Sequence, residues 1–196
     1  DIGNFNNELS KMFNNIDKFI NINDNIILLG DNFYPSGIKS LTDKRLLFFN
    51  KFPNINTVHK YAILGNHDYQ YNPELQINMN IVEKWHMPNW YYKKKIKNME
   101  FWFIDTCQLV SFGNIRRPSG CGQLTVKCIE HVHNDRFDNL RKKQLEWLSN
   151  SLRSSRSKYK IVVGHYPIFT NGAYKNHKCT NDLREILFPI FKKRLN

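Results

Sequence analysis

Three short segments of this sequence each set a glycine directly before residues that can bind a metal ion or move a proton. They are Gly30-Asp31-Asn32-Phe33-Tyr34, Gly65-Asn66-His67-Asp68 and Gly164-His165-Tyr166-Pro167. Asp31 has two oxygens and can bridge a pair of cations. Asn66 offers a neutral carbonyl oxygen, His165 an imidazole nitrogen, and Tyr34, once deprotonated, a hard phenolate. A mixed oxygen and nitrogen set without thiolate suits Fe, Mn or Zn in a reactive site better than a structural zinc site. Two such cations about 3.5–4 Å apart acidify a bridging water and hold both oxygens of an in-line displacement at phosphorus. His67, one residue past Asn66, is then placed to protonate a leaving alkoxide or to bind phosphate.

Taken singly, each segment has a plainer explanation. Asp31-Asn32 is an ordinary turn, Asn66-His67-Asp68 a capped loop, His165 beside Pro167 a structural histidine, and Tyr34 a core or rim residue. Their shared context reverses that reading. Each follows a short unbroken apolar run, at 26–29, 61–64 and 160–163, and a fourth run lies at 101–104. Such runs, separated by helical stretches, read as strands buried on both faces of a sheet. In open α/β sheets, sites form just beyond the carboxyl ends of the strands. Three strand ends would thus deliver a carboxylate, an amide oxygen and an imidazole to one rim. Asp1-Ile2-Gly3 supplies a fourth such junction if a strand precedes it.

The helices are equally legible. Leu9, Met12, Phe13, Ile16, Phe19 and Ile20 repeat at i, i+3, i+4 and i+7, which predicts a helix over 7–22. Leu145, Leu148 and Leu152 mark another just before the last strand. A final helix is expected from about Asn181 or Asp182, kinked at Pro189. The chain has 196 residues, of which 41% are hydrophobic and 14% aromatic, too many for a disordered chain. No apolar run approaches the ~20 residues of a membrane helix. With 29 Lys and Arg against 17 Asp and Glu, the net charge is +12, which favours anionic partners. The basic residues Lys93, Lys94, Lys95, Lys97, Arg116, Arg117, Lys192, Lys193 and Arg194 are scattered and form no nucleic-acid motif, so solvated faces explain them better. Four cysteines (Cys107, Cys121, Cys128 and Cys179) match no metal-binding spacing. They fit buried thiols of a cytosolic protein or two disulfides of a secreted one, with three connectivities open. The chain opens without an initiator Met or a charged and apolar leader, and is expected to be cut at both ends.

In this order, GDNFY (30–34), GNHD (65–68) and GHYP (164–167) resemble the calcineurin-like metallophosphoesterase superfamily. The tyrosine of the first motif resembles that of its purple acid phosphatase branch, of the small tartrate-resistant type. Lys84-Trp85 to Met87-Pro88 with Tyr91-Tyr92, Phe103-Ile104-Asp105-Thr106 and Gln144-Leu145-Glu146-Trp147-Leu148 agree with it. The resemblance implies a four-layer α/β/β/α sandwich, with 1–196 as a single catalytic domain incomplete at both ends. It implies hydrolysis of phosphate monoesters by a hydroxide activated at a dinuclear centre of Fe(III) with divalent Fe, Zn or Mn. Asp1 and Tyr34 would bind the ferric ion, Asp31 would bridge, and Asn66 and His165 would bind the divalent ion. His67 would assist catalysis, and Asn66 and His67 would also contact substrate.

Three departures stand out. The family's final GHxH motif does not follow residue 167 and is expected beyond Asn196. Tyr174 occupies the position of a phosphate-contacting histidine and is the remaining substrate-binding candidate. Residues 108–138, with Arg116, Arg117, Lys127, His131 and His133, replace the family's exposed cleavable loop and read first as a solvated insertion. Cys179 lies where the family has a disulfide cysteine, which implies Cys121 or Cys128 as partner and a secreted, vacuolar or lysosomal-type compartment, although no N-x-[ST] sequon is present. The competing expectation is a catalytically inactive relative kept as a scaffold or complex subunit.

Overall fold

The computed structural model describes residues 2–110, 135–172, 175 and 177–192. They fall into two compact units, Asp1–Trp90 and Tyr91–Asn196. The first begins with α1 (Asn7–Asp17), capped by Asn6, whose side-chain oxygen accepts from the Leu9 N–H at 2.8 Å. This helix stops five residues short of the expected end at 22. The cause is local: the Asp24 carboxylate accepts from Asn21 N–H and the Asn21 side chain from Asn23 N–H, both at 3.0 Å. Asx side chains thereby give the backbone partners outside a helix, and Phe19 and Ile22 are left exposed.

Three parallel strands follow in the spatial order β1 (Asn25–Leu28), β2 (His59–Ala62) and β3 (Trp85–His86). Ile26 lies opposite Lys60, and Tyr61 opposite His86. The β1–β2 ladder ends before the apolar run of β2 does, yet Ile63 and Leu64 stay wholly buried and Ile63 N–H donates to Leu28 O at 3.1 Å. The chain therefore reaches Gly65 from inside the core. Around α2 (Pro53–Thr57), the rings of Phe13, Phe48, Phe49 and Phe52 pack at 5.1–5.8 Å between centroids, mostly edge-on or tilted.

The second unit carries a mixed sheet. β4 (Tyr92–Ile96) runs antiparallel to β5 (Met99–Phe103), which runs parallel to β6 (Tyr159–Val163). A parallel pair needs a long crossover, and the connection contains α3 (Thr106–Val110) and α4 (Asp135–Ser154). α5 (Lys178–Lys192) closes the unit. It starts earlier than the expected 181 because Cys179 continues the buried stripe of Leu183 and Leu187, and Asn181 N–H already bonds to His177 O at 3.2 Å. It continues through Pro189 to Lys192. Trp102, Ile104, Leu109, Leu148, Leu152, Cys179, Leu183 and Leu187 form the core of this unit. Among the described residues no helix is long and apolar enough to cross a membrane.

Candidate active site

The ends of β1 and β2 meet backbone to backbone. Gly30 has φ +88°, and a β-carbon there would lie 2.7 Å from Gly65 N and 2.9 Å from Gly65 Cα. No side chain fits that gap, so a glycine ends β1 for a steric reason and the two turns are held in contact. Asp31 follows with φ +50° and is 3% exposed. Its Oδ1 accepts from the His67 N–H at 2.8 Å, and its Oδ2 from the Tyr34 hydroxyl at 2.6 Å. The structure thus brings together Asp31, Tyr34 and His67 from segments 36 residues apart. Asn66, buried, sits in the same turn as His67.

The His67 ring lies 4.3 Å from that of Tyr34, centroid to centroid, and its Nδ1 is bonded to Pro35 O. A carbonyl acceptor assigns the Nδ1 proton and leaves Nε2 as the nitrogen available for chemistry. Arg45 holds the Tyr34 end of the loop from outside, donating from Nη1 to Tyr34 O at 2.6 Å and from Nη2 to Gly37 O. Hydrogen bonding from Arg45 keeps the Asp43 carboxyl below its usual range, so the pair stays ionised.

Gly3 lies against the same loop. Its N–H donates to Asp31 O at 3.0 Å and its O accepts from Tyr34 N–H at 2.9 Å. A β-carbon at Gly3 would stand 2.4 Å from Tyr34 N, which only glycine avoids. Asp1 itself, Tyr174, Cys121 and Cys128 lie outside the described residues, as do 111–134 with Arg116, Arg117, Lys127, His131 and His133.

In the second unit, His165 follows β6, half-buried, with its ring 5.0 Å from that of Tyr166. Tyr166 N–H donates to Thr106 Oγ1 at 3.2 Å, which ties the GHYP turn to the start of α3. Gln144 of α4, wholly buried, pairs with the backbone of Asp105, accepting from its N–H at 2.7 Å and donating to its O at 3.2 Å. The Asp105-Thr106 and Gln144 motifs therefore serve to fix the end of β5 beside β6.

Sequence reasoning passed over two side chains of the first unit. Asp68, wholly buried, accepts from Asn32 N–H and Phe33 N–H, from Gly65 N–H and from Gln76 Nε2. Burial pushes its carboxyl up to about 6, with the neighbouring Asp31 charge adding to the rise and those donors opposing it. Gln76, also wholly buried, carries the second half of this network. The available signal was the final residue of GNHD; nothing near Gln76 marks it.

Among the described residues no three His, Cys, Asp or Glu side chains converge as a metal cluster. What does converge is a carboxylate and a phenol, with an imidazole beside them. Their hydrogen bond of 2.6 Å, donated by the Tyr34 hydroxyl, brings two hard oxygens about as close as two ligands of one cation lie. That donor set fits a hard cation, which would displace the proton.

A family model for calcineurin-like phosphoesterases matches residues 1–191. The chain is 30% identical over 179 residues to tartrate-resistant acid phosphatase type 5 of Oryctolagus cuniculus, covering 86% of this chain and 51% of that protein. It is 29% identical over 176 residues to the Homo sapiens protein of that name (84% and 51%) and 30% over 184 residues to purple acid phosphatase 7 of Arabidopsis thaliana (87% and 50%). The chain thus spans about half the length of the curated relatives it matches. It belongs to the calcineurin-like phosphoesterase family.

Proposed function

We propose that this chain is the larger part of one catalytic domain of an acid phosphatase that hydrolyses phosphate monoesters. The observation that carries this is the convergence of Tyr34 and His67 on the two carboxylate oxygens of Asp31, at 2.6 and 2.8 Å. Asp1, Asp31 and Tyr34 would hold Fe(III), and Asp31, Asn66 and His165 a divalent Fe, Zn or Mn. A GHxH segment elsewhere in the protein would complete the set. When bound, the pair would supply charge neutralisation at phosphorus and an acidified water.

The protein's own groups do the rest. Asp31, held at φ +50° by its neighbours, presents one oxygen to Tyr34 while the other is fixed by the His67 amide. His67, anchored through Nδ1 at Pro35 O, is free to carry a proton at Nε2 to the leaving alkoxide. Asn66 and His67 contact the phosphoryl group, with Tyr174 as a further hydrogen-bond donor. Cys179 pairing with Cys121 or Cys128, and a secreted, vacuolar or lysosomal-type location, belong to the same reading. In its support, Cys179 lies wholly buried at the start of α5.

The test uses the full-length protein with iron and a divalent metal restored. Hydrolysis of p-nitrophenyl phosphate at acid pH and a visible absorption band lost in Tyr34→Phe are expected. No hydrolysis under those conditions, with Asn66→Ala indistinguishable from the parent, ends the reading.

A further inference from the structure

We propose that Gln76 is a positioning residue, a buried clasp that sets the spacing between the Asp31 turn and the Asn66-His67 turn; the inference rests on the function proposed above. Its Oε1 accepts from Asn32 Nδ2 at 3.1 Å, and its Nε2 donates to Asp68 Oδ1 at 3.0 Å. Asn32 is the residue after Asp31, and Asp68 the residue after His67. One amide therefore joins the two candidate ligand turns from beneath. Asn32 Nδ2 also donates to Ile63 O at 2.8 Å, so the clasp reaches back into the apolar run before Gly65.

The geometry demands an amide. The site needs an acceptor facing Asn32 and a donor facing Asp68, less than a carboxamide apart and with no water to substitute, since Gln76, Asn32 and Asp68 are all at most 1% exposed. A carboxylate at 76 would face Asp68 with like charge; an aliphatic residue would leave Asp68 one donor short in a dry site. Gln76 is itself held from the far side. It ends the short turn Pro73–Gln76, and its O accepts from Trp85 Nε1 of β3 at 2.8 Å. The sheet edge thus fixes Gln76, Gln76 fixes Asn32 and Asp68, and those bracket Asp31 and His67.

The experiment compares full-length parent, Gln76→Leu and Gln76→Glu. The first removes both hydrogen bonds of the clasp; the second keeps the side-chain length but sets a carboxylate against Asp68. Two quantities are read: kcat and KM on p-nitrophenyl phosphate, and the affinity for Zn(II) by chelator competition. In Gln76→Leu, kcat and zinc affinity should each fall about 10- to 100-fold with KM nearly unchanged, the usual size for loss of an outer-shell partner. Gln76→Glu should lose at least as much, since its carboxylate cannot donate to Asp68. Should Gln76→Leu fail to fold, Gln76→Asn, which keeps the amide one methylene short, is read in the same way. A variant with parental kcat and zinc affinity but a lower melting temperature overturns the inference and makes the clasp purely structural. A parent that binds zinc yet hydrolyses nothing sinks the phosphatase reading instead, while the zinc affinities still decide the role of Gln76.

Discussion

Replacing Gly30 by alanine tests the junction on which the candidate site is built. The backbone there has φ +88°, and an L-residue in the left-handed region costs about 1–2 kcal/mol. The added β-carbon would also lie 2.7 Å from Gly65 N, 2.8 Å from Leu64 C and 2.9 Å from Gly65 Cα, all backbone atoms that cannot rotate away. Ordinary contact begins at about 3.5 Å, so the two turns must separate by nearly 1 Å. Forced displacement of packed atoms adds about 1–3 kcal/mol, for a total near 2–5 kcal/mol. Urea unfolding of the full-length protein, followed by tryptophan fluorescence, measures this directly. Gly172→Ala is the matched control, because a β-carbon there meets only Thr170 Oγ1 at 3.5 Å; it should change stability by less than about 0.5 kcal/mol. Because the displaced strand end carries Asn66 and His67, phosphatase activity should fall at least about tenfold in Gly30→Ala. A loss of stability no larger than that of the control would refute the steric account of the junction.

Three other outcomes follow from single side chains. Lys60 of β2 is wholly buried, its Nζ donating to the O atoms of Asn56, Val58 and Glu83, and burial lowers its pKa from 10.5 to about 8. Between those values the unfolded chain binds the proton that the folded chain has released, so stability should rise with pH across that window by about 3 kcal/mol; equilibrium unfolding of Lys60→Met should lack this rise. Leu148→Ala empties a fully buried position in the core of the second unit and should cost about 2–5 kcal/mol by denaturant titration. His67→Gln should lower kcat about 10²- to 10⁴-fold; a parental kcat would remove His67 from proton transfer.

Residue order alone located the Asp31, Asn66-His67 and His165 turns, since an apolar run, a glycine and a polar side chain are each local features. The strands β1, β2, β5 and β6 and the helices α1, α4 and α5 were found for the same reason, their patterns lying within a dozen residues or so, whereas β3, β4, α2 and α3, each at most five residues long, carry no such pattern. The misjudged helix ends show the limits of that locality. α1 stops at Asp17 because Asn21 and Asp24 capture backbone amides, and α5 starts at Lys178 because Cys179 packs into a core that the local pattern does not mention. Nothing in the local sequence marks Lys60 as buried; in the fold three carbonyl groups enclose its ammonium group.

What the sequence by itself determined, then, is the chemical inventory: a carboxylate, a phenol, an amide and two imidazoles, each delivered just past a strand. Only tertiary structure decided how the inventory is held. Asp68 reads as the tail of a motif, yet it gathers amides from residues 32, 33 and 65 and the side chain of residue 76. Gln76 carries no local mark at all. A hydrogen bond depends on atoms within about 3 Å, whatever their separation along the chain, and the pairing of β1 with β2 is what brings these atoms into that range.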